Sequence, residues 1–215
     1  MDDAERHGGG PFVAVEAVAF DVKTAFMDSV SLWGAVAGDP ERGRAWRDAE
    51  RRLIYAGTTY RPYDELLAQA ARDVGLDPPA VVPELVRRWG ELRPWPDVPG
   101  FLATLGTRKL AFVTNASDAL AQVAAGISPR RPDVVVSAER AGAYKPAPRI
   151  YGLAVEELGI ARERVLFIAG SPGDAAGAKR FGFPTVWVNR YGLDPPVEPP
   201  DRTVQTLAGL FGSLA

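Results

Sequence analysis

Val15-Glu16-Ala17-Val18-Ala19-Phe20-Asp21-Val22-Lys23-Thr24 decides the reading of this chain. The apolar run up to Phe20 has the composition of a mostly buried strand, and Asp21 stands where that strand emerges. In an open α/β sheet ligands bind outside the carboxyl ends of the strands, so an aspartate there is a candidate nucleophile. Taken alone, Asp21 suits a turn or a helix cap at least as well, because short carboxylates accept hydrogen bonds from free backbone N–H groups. Lys23 lies two residues on. In extended chain that spacing points both side chains the same way, which places Lys23 toward the same crevice.

The rest of the composition narrows the chemistry. A chain of 215 residues, 47% hydrophobic and 24% charged, suits one α/β domain with a sizeable insertion. Its net charge of -2 comes from well-mixed signs, which argues against nucleic-acid and membrane-surface partners. The arginines from Arg42 to Arg52 are balanced by Glu41, Asp48 and Glu50, as on a solvated helix face. No apolar run reaches membrane-spanning length and the polar start Met1-Asp2-Asp3-Ala4-Glu5-Arg6 is unlike a signal peptide, so a cytoplasmic location is expected. The absence of cysteine excludes disulfides, thiolate catalysis and Cys-ligated metals. The only histidine, His7, sits in a Gly-rich stretch, which removes Ser-His-Asp triads and His-ligated zinc. Any catalysis must use Asp, Glu, Lys, Arg, Tyr, Ser or Thr.

Along the chain, residues 1–11 read as a flexible leader, residues 12–27 and 96–215 as a core domain, and residues 28–95 as a helical cap inserted after the first strand. Within the insertion, Asp39 as N-cap and Pro40 in the first turn open a helix that stops at Gly57. Helices are also expected over Pro62–Val74 and Pro79–Trp89, and the Pro-rich connector Arg93-Pro94-Trp95-Pro96-Asp97 closes the insertion. Beyond it, strands at Leu110–Thr114, Asp133–Val136, Val165–Ala169 and Thr185–Val188 alternate with helices at Phe101–Leu105, Asp118–Ala125, Pro148–Leu158 and Asp174–Phe181. A last helix is expected over Thr203–Leu210. This rhythm predicts an α/β fold: a doubly wound, parallel, Rossmannoid sheet with right-handed crossovers.

Four strand ends bear polar residues: Asp21, Thr114-Asn115, Lys145 after a short loop, and Ser171 to Asp174. Each has a bland reading as a turn, a solvated charge or a cap. As an ordered set, converging on one crevice, they make a credible nucleophilic site. That order and spacing resembles the haloacid dehalogenase superfamily from about Val15 to Gly192. The finer resemblance is to its (S)-2-haloacid dehalogenase branch. It rests on Ala45-Trp46-Arg47, Thr114-Asn115, Lys145-Pro146 with Tyr151, Asp174-Ala175-Ala176-Gly177-Ala178, and Phe181-Gly182-Phe183-Pro184-Thr185 through Trp187 and Asn189-Arg190.

The resemblance implies a metal-independent hydrolase without a cofactor, acting on a small to medium organic acid that is anionic. Asp21 would attack the carbon bearing the halogen, and water would then cleave the resulting ester. Lys145 would orient Asp21, and Arg47 would stabilise the departing anion or a substrate carboxylate. Asp174 would position water with Lys145, Thr114 and Asn115 would hold the substrate carboxylate, and Tyr151 would support Lys145 or Arg47. Ser171 and Lys23 complete the expected substrate-binding set. Relatives form dimers, so a homodimer is compatible with the resemblance, although the sequence carries no interface signature.

The pattern also breaks. Phosphatases of the superfamily carry an acid where this chain has Lys23 and a magnesium-binding acid where it has Gly170. The dehalogenase branch typically shows an aromatic, a hydroxyl, a serine, an asparagine and a tryptophan where this chain has Lys23, Ala25, Ala169, Ser171 and Gly173. A glycine at 173 would leave room for a bulkier substrate. Two alternatives therefore stand beside the hydrolase: a repurposed enzyme using Lys23, Arg47 and Lys145 for non-hydrolytic chemistry such as cyclisation or proton transfer on a larger molecule, and a catalytically silent binding protein.

Overall fold

Six strands, all parallel, form one sheet in the order β3-β2-β1-β4-β5-β6. They are β1 (Ala17–Asp21), β2 (Lys109–Thr114), β3 (Val134–Ser137), β4 (Val165–Ala169), β5 (Thr185–Val188) and β6 (Arg202–Val204). The computed structural model describes residue 12 and residues 14–57 and 59–210, so the expected leader lies outside the described residues. The chain winds outward on both sides of β1, and this puts the topological switch point at its carboxyl end. Asp21, paired in register with Val113, is the last residue of that strand. Every residue of β1 and β4 is buried, as expected for strands covered by helices on both faces.

Four helices, α1 (Ser29–Ala37), α2 (Pro40–Ala56), α3 (Tyr63–Asp73) and α4 (Pro78–Arg87), are inserted between β1 and β2. Asp39 caps α2 as expected, its carboxylate accepting from the Glu41 and Arg42 N–H groups at 2.9 Å each, and the helix ends before Gly57. Trp33, Trp46 and Trp89 fill the centre of the insertion, and the Trp46 indole donates to the Leu67 carbonyl at 3.0 Å. The two legs of the insertion run side by side. Asp28 N–H bonds the Arg93 carbonyl and Trp95 N–H bonds the Phe26 carbonyl, both at 3.0 Å.

The remaining helices are α5 (Val98–Ala103), α6 (Asp118–Gly126), α7 (Ala138–Ala141), α8 (Pro148–Leu158) and α9 (Pro172–Phe181). Two expected elements are corrected. Thr203 and Val204 belong to edge strand β6, and only a short turn at Leu207–Leu210 is helical. The β-branched pair suits an extended edge, and Asp201 docks it, its carboxylate accepting from Thr185 N–H at 2.8 Å. The helix expected over Pro79–Trp89 instead starts at Pro78, ends at Arg87 and passes into a tighter turn over Trp89–Glu91.

Helices α1 and α2 touch through glycines: a Cβ on Gly43 would lie 2.3 Å from the Gly34 nitrogen. Gly43→Ala is expected to lower the melting temperature despite the better helix propensity of alanine, because backbone cannot yield as a side chain can. Gly152→Ala on α8, where a Cβ meets nothing within 4 Å, is the control and should be neutral or slightly stabilising by circular dichroism.

Candidate active site

The nucleophile candidate is held by its own turn. After Asp21 the chain makes one wide helical turn, Val22–Phe26, in which Met27 N–H returns to the Val22 carbonyl at 2.8 Å. Asp21 Oδ2 caps this turn, accepting from Thr24 N–H at 3.1 Å, Ala25 N–H at 3.3 Å and the Thr24 hydroxyl. Asp21 thus caps the turn with one carboxylate oxygen and turns the other toward the site. Oδ1 faces the Lys145 ammonium at 2.7 Å, and the same ammonium reaches Asp174 Oδ2 at 3.1 Å.

Lys145 is 0% exposed and is positioned by its backbone. The Asn115 side chain accepts from Lys145 N–H at 2.7 Å and donates to its carbonyl at 3.2 Å, which ties the end of β2 to the lysine loop. Tyr151 supports the same loop by packing. A Cβ on Gly177 would meet Pro146 Cβ at 2.4 Å and the Tyr151 hydroxyl at 2.8 Å, so α9 closes on the residue after Lys145. Among the described residues the buried Tyr151 and Thr114 hydroxyls have no hydrogen-bond partner, and neither residue lines the cavity. Asp174 Oδ1 is likewise unpartnered, but Asp174 does line the cavity. Asp174 is not the cap of α9, as its bland reading supposed; Ser171 Oγ caps that helix, accepting from Asp174 N–H at 3.2 Å.

The two carboxyls are pushed apart. Burial alone would raise Asp21, but the Lys145 charge and hydrogen bond and the Thr24 hydroxyl outweigh it and hold the group well below the usual carboxylate range. Burial raises Asp174, and the Lys145 charge does not fully offset this; the Asp21 charge adds to the rise. For Lys145 burial works against protonation, and the Asp174 and Asp21 charges overcome it and raise the group.

Lys23 does turn inward, but away from Asp21. Its ammonium donates to Glu50 Oε1 at 2.5 Å, the Asn115 carbonyl at 2.8 Å and the Tyr63 hydroxyl at 3.1 Å, which uses all its N–H groups. Glu50 is 0% exposed, which corrects the solvated-face reading of this part of α2. It also takes the Arg47 guanidinium at 2.5 Å. Burial opposes ionisation of Glu50, and the Lys23 and Arg47 charges reverse that and lower it. Burial pulls the Lys23 ammonium down to about 8, with Glu50 working against that shift and Arg47 with it. Glu50, Tyr63, Thr24 and Tyr55 were missed from the sequence. For Glu50 the one available signal was its place three residues after Arg47 on a helix.

These groups surround a cavity of about 300 Å³ at the carboxyl end of β1. Asp21, Lys23, Asn115, Ser171 and Asp174 line it from the sheet side, Arg47, Glu50 and Tyr55 from α2. The room expected beside Gly173 is filled: a Cβ there would lie 2.6 Å from Tyr55 Cζ, and the Tyr55 hydroxyl pairs with Ser171 Oγ at 3.0 Å. A magnesium ion does not fit these residues. The Asp21 and Asp174 carboxylates are already bridged by an ammonium, and a side chain at Gly170 would run into Thr24 Oγ1 at 2.2 Å and Ala25 N at 2.4 Å.

The fold and site thus define a doubly wound α/β protein with a buried carboxylate–lysine–carboxylate centre. A profile of the haloacid dehalogenase-like hydrolases matches residues 14–182. Haloacetate dehalogenase H-2 of Moraxella sp. (strain B) is 31% identical over 223 residues, covering 94% of this chain and 98% of that protein. (S)-2-haloacid dehalogenase 4A of Burkholderia cepacia is 32% identical over 209 residues, 91% of this chain and 90% of that protein. A crystal structure of a dehalogenase superposes with a TM-score of 0.82 at 30% identity, over 94% of this chain and 98% of the other. The chain belongs to the haloacid dehalogenase-like hydrolases, in their dehalogenase branch. Among the described residues no helix is long and apolar enough to cross a membrane.

Removing Glu50 leaves Lys23 and Arg47 buried without their shared counter-ion. Glu50→Leu is expected to cost ~3–5 kcal/mol in urea unfolding, and Lys23→Met combined with it should recover part of that loss. Additive losses in the double variant would show that the pair is not coupled.

Proposed function

We propose that the protein is a metal-independent 2-haloacid dehalogenase of the cytoplasm, with Asp21 as covalent nucleophile and residues 28–95 as a cap over the site. The observation that carries this reading is the pair of carboxyls on one buried lysine, one held ionised and the other with raised proton affinity. Groups driven apart in this way suit a nucleophile and a general base. The names of its relatives, which include haloacetate and (S)-2-haloacid dehalogenases, supply the substrate class.

In the first step Asp21 Oδ1 attacks the carbon bearing the halogen. The carbon–halogen bond breaks with its electron pair leaving on halide, and an ester forms on Asp21. Arg47 lies against the cavity to meet the anionic charge. Arg44 also lines it and makes no ion pair among the described residues, which further suits an anionic substrate. The Asn115 amide adds a donor for the substrate carboxylate.

In the second step Asp174, with its unpartnered Oδ1, takes a proton from water as the water attacks the ester carbonyl. The charge that develops on Oδ2 falls on the Thr24 and Ala25 donors already bonded to it. Collapse of the tetrahedral intermediate breaks the bond to the product oxygen, which takes one proton of the attacking water to leave as the 2-hydroxy acid; Asp21 is regenerated as carboxylate, and the other proton departs to solvent. Lys23 is not assigned as the base: although burial lowers its proton affinity, its donors are engaged with Glu50, Tyr63 and Asn115.

Asp21→Asn is expected to abolish halide release from (S)-2-chloropropionate. Asp174→Asn should release about one halide per enzyme and then stop, leaving an ester on Asp21 visible in the intact mass. Halide release by a folded Asp21→Asn variant would refute the assignment. Thr24→Ala removes one oxyanion donor and should slow ester hydrolysis by about 10²-fold.

The pH dependence follows from the same shifts. Asp174 must be ionised to act as base, so hydrolysis of the ester falls as pH drops through its raised pKa. Asp21 stays ionised there, so displacement continues. Rapid-mixing halide measurements at acidic pH should show a burst that fades toward neutral pH; a burst independent of pH would remove Asp174 from this role.

A further inference from the structure

We propose that Tyr55 sets the size of substrate the cavity admits and restricts the enzyme to short-chain 2-halo acids. This deepens the dehalogenase reading and rests on it. Tyr55 sits in the last turn of α2, 37% exposed, with its ring forming part of the cavity wall. Its position answers a vacancy on the opposite side. A Cβ on Gly173 would lie 2.6 Å from Tyr55 Cζ, 2.7 Å from its hydroxyl and 2.8 Å from Cε2. The ring therefore takes the volume into which any side chain at 173 would grow, and the two cannot be filled together.

The ring is held in place. Its hydroxyl pairs with Ser171 Oγ at 3.0 Å, and Ser171 caps the helix that carries Asp174. One hydroxyl thus ties an aromatic wall on the inserted helix to the turn that sets a catalytic carboxylate. The same relation recurs beside the nucleophile, where the Thr24 hydroxyl lies 2.2 Å from the position of a Gly170 Cβ. Gly170, between β4 and α9, and Gly173, in the first turn of α9, each have their empty side-chain volume taken by a residue from elsewhere. Tyr55 lies at the end of α2 and is partly exposed, so replacing it opens the cavity without removing a core side chain.

Discrimination by chain length is the direct readout. Initial rates of halide release would be compared for (S)-2-chloropropionate and (S)-2-chlorohexanoate in wild type, Tyr55→Phe, Tyr55→Ala and Tyr55→Ala/Gly173→Phe. Tyr55→Ala should raise the hexanoate-to-propionate ratio of kcat/KM by about tenfold or more, chiefly through KM for the longer acid. Tyr55→Phe keeps the ring and should keep the ratio. Gly173→Phe in the Tyr55→Ala background returns a ring to the same volume and should bring the ratio back toward wild type. An unchanged ratio in Tyr55→Ala, with chloropropionate still turned over, overturns this inference and leaves the dehalogenase reading standing. If no variant releases halide, that reading falls, and thermal stabilisation by the unreactive acids propionate and hexanoate decides the size limit instead. Hexanoate stabilisation gained only when Tyr55 is removed supports it; equal stabilisation of wild type and Tyr55→Ala overturns it.

Discussion

A single ammonium organises this site. Lys145, without exposed surface, lies between Asp21 and Asp174, and its position is set by backbone bonds to Asn115 and by the packing of Pro146 under Gly177 and Tyr151. A buried lysine is costly unless paired and hydrogen-bonded, so its presence at the switch point constrains everything around it. Two carboxyls must be brought from the end of β1 and the first turn of α9 to satisfy it, and they share it unequally. Asp21 has further donors on its second oxygen, whereas Asp174 has an oxygen left without one. The difference in proton affinity between them is a consequence of that geometry.

A second charged cluster joins the inserted helices to the sheet. Lys23 from the turn after β1 and Arg47 from α2 share Glu50, and Lys23 also bonds the carbonyl of Asn115. Asn115 is thus tied to both lysines, one through its carbonyl and the other through its amide. Lys23 in this arrangement is a strut between the helical insertion and the strand ends. It lines the cavity, but its hydrogen bonds are spent on the protein.

Much of the frame was legible in the sequence because strands buried on both faces read as unbroken apolar runs. Val165–Ala169 and Thr185–Val188 fall where expected, and the Asp39-Pro40 start and Gly57 stop delimit α2 as expected. Thr203 and Val204 look helical in the sequence because their strand is short, half exposed and defined mainly by pairing with β5, which periodicity does not record. In the site, the grouping of Asp21, Lys145 and Asp174 was legible from the order of the strand ends, and Arg47 only through the resemblance. Their compensating partners were not. Glu50 lies among arginines and looks solvated, Thr24 offers its hydroxyl from the position before Ala25, and Tyr55 fills space that the sequence leaves open at Gly173. Those relations join residues far apart in the chain through volume and charge, and only the fold brings them together.

The most direct test of covalent catalysis at Asp21 is a single turnover of (S)-2-chloropropionate with enzyme in excess, in water enriched in 18O, followed by mass analysis of the peptide containing Asp21. If water attacks the carbonyl of an enzyme ester, the label enters the Asp21 carboxylate and the first product carries an unlabelled oxygen. Label found only in the product, with the Asp21 peptide unchanged, would mean that water attacks the substrate directly and would contradict the account.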